Sequence, residues 1–220
     1  GWPVVTAQVL GVDTGPEGVE GDALLVEVAV LALLVEGLGP QPQLFAAARR
    51  VRQTGFFAAL HGEGGFAAAM DALGDVDDEP WLRALSERLV HARSILTRVN
   101  AAPGLMDRLA GVENGAAAVR MLRGELFGGA GVEAPFWVLR ELVRDGMLDG
   151  KQFADATAVP TPRLLANAAR IGLIASANIA SFDGLVAASA AVSAHFGQDT
   201  GYGLALEVMD RALGLATTSP

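Results

Sequence analysis

From Ala23 to Val35 the chain is apolar at every position except Glu27. A helix through this stretch is apolar on nearly every face, and such a helix is stable only when other elements surround it. It therefore belongs at the centre of a bundle. The run is too short to cross a bilayer, which takes about 20 residues, and Glu27 interrupts it. It also lacks the positive leader and small-residue cleavage site of a secretory signal. Asp22 offers a cap at its start, and the spacing predicts a central helix over about 22–37.

The rest of the chain supplies surroundings of the same kind. Leu82, Leu85, Leu89, Ala92, Leu96 and Val99 recur at alternating steps of three and four, the seam of a packed helix over about 79–100. Asp78 and Pro80 mark its start, and Pro103-Gly104 its end. Glycine and proline punctuation predicts further helices at about 42–60, 66–73, 104–110, 114–127, 134–145, 150–158, 162–180, 183–196 and 202–214. The segment Ala166–Ala194 is rich in Ala, Ser and Gly, which lets helix axes approach closely. Residues 1–21 read as irregular or as one edge strand built on Val4, Val5, Val9 and Val12, with Gly15, Pro16 and Gly18 breaking it. The expected fold is all-α: a single-domain multi-helix bundle over 22–220 with a central apolar helix and an irregular or edge-strand N-terminal segment, 1–21. A lone strand needs a partner, so that segment is a candidate contact with another copy or another chain.

Charge narrows the partners. The formal net charge is −9, and no Lys or Arg precedes Arg49, whereas Asp13, Glu17, Glu20, Asp22, Glu27 and Glu36 do. An acidic surface repels phosphate backbones and anionic lipid, so neither nucleic acid nor membrane is an expected partner. The chain has no cysteine, hence no disulfide framework, thiolate nucleophile or cysteine-bound metal. The expectation is a cytoplasmic protein. Lys151 is the single lysine against fifteen arginines, a bias typical of GC-rich bacterial genomes.

Chemistry must then come from few groups. His61-Gly62-Glu63 sits in a glycine-rich break between helices, where an imidazole and a carboxylate can meet a ligand. Its His-x-Glu spacing is that of zinc deaminases, but the paired cysteines such a site requires are missing. His195, Asp199 and Tyr202 flank a second glycine-containing loop, although a histidine at a helix end and an aspartate before the next helix are also ordinary dipole and cap residues. His91 follows Glu87 by one turn and reads as a half-buried structural histidine. Asp75, Asp77, Asp78 and Glu79 precede a helix, where acidic residues are expected on dipole grounds alone. Asn167, Arg170, Ser176 and Asn178 fall in a segment that reads as buried, where polar groups need partners or a ligand.

Phosphate-loop, dinucleotide, nucleophile-elbow and di-iron motifs are absent, and Gly128, Gly129 and Gly131 lack the strand–turn–helix setting of a nucleotide fingerprint. Two readings follow. One is a small-molecule enzyme, of a lyase, cyclase or isomerase kind suited to bacterial specialised metabolism, working by proton transfer without cofactor or metal. His61, Glu63, His195 and Asp199 would be its catalytic groups, and Arg170, Asn167, Asn178 and Tyr202 would bind substrate. The other is a non-catalytic helical partner subunit or ligand-binding module, joined to a homo-oligomer or a different chain through the N-terminal segment.

Overall fold

A computed structural model describes residues 21–36, 51, 53–74 and 80–196, with the side chains at 35 and 80–87 outside that description. Among the described residues the fold is all-α, with no strand: α1 (Asp22–Val35), α2 (Phe56–His61), α3 (Gly65–Leu73), α4 (Pro80–Ala101), α5 (Leu105–Ala110), α6 (Gly115–Met121), α7 (Ala134–Arg144), α8 (Pro162–Arg170) and α9 (Phe182–Phe196). A π turn, Leu122–Leu126, continues α6, and a 3-10 turn, Ala154–Ala156, precedes α8. No described helix is long and apolar enough to cross a membrane. The predicted edge strand at 1–21 and the predicted helix at 202–214 lie outside the described residues.

The central helix is where its composition requires it to be. Leu24, Leu25, Val26, Val28, Ala29, Val30, Leu31, Ala32 and Leu34 are all buried, and α1 packs against α4, α7 and α5. Each fully buried Leu or Val is worth about 1.5–3 kcal/mol, so α1 is the main apolar asset of the core. Glu27 is buried in the same wall and is not without a partner.

A helix this apolar has polar handles only at its ends, and both serve its neighbours. Asp22, expected from the sequence to cap this helix, is instead its first residue and makes no cap bond to it. Its carboxylate accepts the backbone N–H groups of Gly104 and Met106, at the start of α5. At the other end the Glu36 carboxylate accepts N–H groups of Val132, Glu133 (2.8 Å) and Ala134 (3.4 Å), which opens α7. Arg88 of α4 completes the junction. Its Nη1 donates to the carbonyls of Leu33 (3.2 Å), Leu34 (3.3 Å) and Glu36 (2.6 Å), placing a cation on the negative end of α1.

The later helices are stitched by small polar groups. Asp155 accepts from the amides of Gly115 (2.7 Å) and Ala116 (3.2 Å), while Asn114 caps Ala117 (2.9 Å). A Cβ at Gly115 would lie 2.6 Å from the Asp155 carboxylate, so only glycine lets that cap close. On α9 the buried Ser189 and Ser193, one turn apart, bind the carbonyl and amide of Ala158 at 2.6 and 3.2 Å. They satisfy backbone that runs through the core without helical bonds.

Three predicted helices end differently. The helix expected over 162–180 stops at Arg170, because Gly172 adopts φ 77° and two backbone bonds, Gly172 to Ala169 (3.1 Å) and Leu173 to Ala168 (2.9 Å), close a Schellman motif. The helix expected over 150–158 is only the 3-10 turn. The one expected over 114–127 widens at Leu122 into the π turn.

Candidate functional site

His61, Glu63 and His195, expected to share a site, share no hydrogen bond or ion pair among the described residues. His61 ends α2 and is solvent-exposed, though partial desolvation lowers its pKa. Glu63, also exposed, follows in the turn, and neither residue has a hydrogen bond or ion pair among the described residues. His195 is exposed in the last turn of α9 with its ring edge-to-face on Phe196. The helix that carries His61 packs mainly on α3, whereas α9 packs mainly on the 3-10 turn and α6. Asp199 and Tyr202 lie outside the described residues.

The polar group of the late segment divides. Asn167 is buried and has a partner, but Arg170, Ser176 and Asn178 are exposed because α8 has already ended. The expectation that all four are buried is corrected by that early stop. Ser176 Oγ accepts the Asn178 amide at 3.1 Å, a local turn bond.

A concave site lies elsewhere. A half-open groove of about 450 Å3 runs along α4. One wall is the α4 stripe Arg88, His91, Ser94, Ile95 and Arg98; the end of α1 contributes Leu33 and Glu36; the third wall is Leu126–Gly131. The stripe recurs at 88, 91, 95 and 98, one position ahead of each seam residue Leu89, Ala92, Leu96 and Val99. One position is about 100° of rotation, so the stripe flanks the seam, with Ile95 buried and His91 and Arg98 exposed on either side of it. His91, expected from the sequence to be half-buried, is exposed on this wall.

The third wall is shaped by the π turn. Phe127 N–H reaches back five residues to Leu122 carbonyl at 3.1 Å, which makes room for one extra residue in the last turn of the helix. Gly128, Gly129 and Gly131 then follow with φ of 63°, 84° and 80°. Widened turns of this kind inside α-helices recur at functional sites. Here the turn lays Phe127 and Gly128 along the groove.

Gly128 carries the most specific contact. A Cβ built there would fall 2.1 Å from Arg98 Nη2 and 2.3 Å from its Cζ. The guanidinium therefore lies directly on the glycine, in space any other residue would occupy. Arg98 has no hydrogen bond or ion pair among the described residues. Arg88 and Glu36, in contrast, are tied to the ends of α1 and α7.

Sequence reasoning missed Arg88, Arg98 and Glu36. The three-four-three spacing of Arg88, His91, Ile95 and Arg98 is the signal from which the two arginines could have been found; Glu36 carries no comparable signal. No group of three or more His, Asp or Glu able to hold a metal occurs among the described residues. Comparison with protein-family models, with curated proteins and with solved structures gave no match.

Proposed function

We propose that the chain is a small-molecule-binding helical domain whose ligand lies in the groove along α4. One observation carries the reading: the groove combines about 450 Å3 of space with an apolar floor and a guanidinium that the fold leaves unpaired among the described residues. That volume falls within the roughly 300–1,000 Å3 common for small-molecule sites, and a few convergent polar groups on an apolar lining are their usual composition. Leu33, Ile95, Leu126 and Phe127 supply the apolar part. The test is a fragment screen followed by amide NMR on the intact chain. Hits should shift the Gly128, Ala130 and Gly131 amides together. If every hit shifts other regions and none shifts these, the groove is not the site.

Proton-transfer catalysis is the second reading, and His91 is what favours it. Of the three histidines it is the one on the groove wall, with Ser94 beside it on the same helix face. It takes the role the sequence assigned to His61 and His195. Under this reading His91→Gln abolishes turnover of a groove ligand while leaving its affinity within a few-fold. Unchanged turnover in that variant would remove it.

A further inference from the structure

We infer that the groove selects a ligand bearing one carboxylate, held by Arg98, with an apolar body resting on Ile95, Leu126 and Phe127. This rests on the small-molecule reading above and specifies its ligand class.

The first ground is charge. Two guanidiniums, Arg88 and Arg98, face one carboxylate, Glu36, so the groove is net positive in a chain whose formal charge is −9. A positive recess on an acidic molecule concentrates anions where the rest of the surface repels them.

The second ground is commitment. Arg88 Nη1 is shared among three carbonyls at the end of α1, and Glu36 Oε1 among three amides at the start of α7. Those two charges complete helix termini. Arg98 completes nothing among the described residues, and its planar fork fits a carboxylate through two parallel N–H···O bonds.

The third ground is placement. The guanidinium rests on Gly128, which lacks the Cβ that would displace it and whose φ of 63° disfavours any replacement. The missing Cβ thus gives the long side chain room to lie along the groove wall. A single free fork matches a single carboxylate. A more highly charged anion would meet the Glu36 carboxylate across the groove without a second free guanidinium to balance it.

The experiment is an amide NMR titration of the intact chain with 4-phenylbutyrate, its primary amide and phenyl phosphate, at low salt. The carboxylate should bind about tenfold more tightly than the isosteric amide, the margin expected of a charge-assisted pair at a partly solvated site. Arg98→Ala should erase that margin, bringing the carboxylate down to the affinity of the amide; Arg98→Lys should restore little of it. Gly128→Ala, which lifts the guanidinium off its floor, should lower carboxylate affinity selectively. Equal affinity for acid and amide, or an acid preference that survives Arg98→Ala, overturns the carboxylate assignment and leaves the small-molecule reading standing. Tighter binding of phenyl phosphate than of the carboxylate overturns the single-charge assignment. If none of the three shifts the groove amides, both the inference and the reading beneath it fall.

Discussion

The last turn of α7 and the groove face of α4 both carry arginines at helical spacing, yet they use them in opposite ways. In α7, Glu141 is 1% exposed, with Arg144 Nη1 at 2.6 Å and Arg140 Nη1 at 3.7 Å, and Arg144 Nε reaches Asp145 at 3.1 Å. These charges answer one another inside the fold. Burial pushes the Glu141 carboxyl up to about 7 against the pull of Arg140 and Arg144, with Asp145 adding to the rise. On α4, Arg98 is exposed and answers nothing among the described residues. Buried charge that is mutually paired belongs to the architecture, and its removal is felt as instability. Charge left open beside a groove costs the fold little and is available to a ligand.

The contrast breaks first at Glu141. At pH 8, where the carboxyl is ionised, Glu141→Ala leaves Arg140 and Arg144 without the anion between them, and loss of one member of a buried pair costs about 3–5 kcal/mol. Urea unfolding should show that loss; a change below about 1 kcal/mol would mean that the network is not structural.

The pH dependence of the same group comes next. Its folded pKa, about 7, stands above its ordinary value of 4.5. The folded state therefore binds the proton more tightly, and the stability this gives is complete below about pH 4.5 and lost as pH rises towards 7. The cost above pH 7 is about 3 kcal/mol, at 1.36 kcal/mol per pKa unit. His61, whose pKa is lowered, acts in the opposite sense. The discriminating quantity is thus the difference between wild type and Glu141→Gln, which cancels the His61 contribution. Glu141→Gln should gain relative stability between pH 5 and pH 8; a flat difference would contradict the raised pKa.

Two groove substitutions sharpen the comparison from its other side. Arg88→Ala removes the cation from the end of α1 and should cost about 1–2 kcal/mol, since a partly buried charged donor is lost. Arg98→Ala should change stability by no more than about 0.5 kcal/mol, as for exposed residues without partners. If thermal melts rank Arg98→Ala with Arg88→Ala, then Arg98 is part of the frame and its availability to a ligand is refuted.

Much of the frame was legible from residue order. The all-round apolar run from Ala23 to Val35 dictated a central helix, and the Leu89–Val99 seam dictated α4, because helical period and burial are written directly into the sequence. The α8 stop at Arg170 was legible in kind but passed over, since Gly172 is a helix terminator only when the backbone turns left-handed there. The site was largely illegible. Histidines in glycine-rich loops attract attention for their chemistry, but whether loops converge depends on helix packing, which adjacent residues do not encode. Asp22 and Glu36 show the same limit: each does act at a helix end, but the helix belongs to a distant stretch of chain. Arg98 gains its meaning from Gly128, thirty positions later in the chain.

The π turn also makes the groove a matter of counting. Between Met121 and Phe127 the chain holds one residue more than an α-helical screw needs. Deleting Gly124, which is exposed with open space where a Cβ would stand, would remove that surplus. Leu122 and Leu126, both buried and four apart, would become three apart, a separation that still keeps them on one side of the helix. The Phe127 N–H, now four positions from Leu122, would then close an ordinary α-helical bond on the same carbonyl, so that Phe127 and Gly128 keep their places under Arg98. A chain shortened by this residue should melt much as the full one does and keep Arg98 over its glycine, so that the surplus residue is one the frame carries and not one it requires.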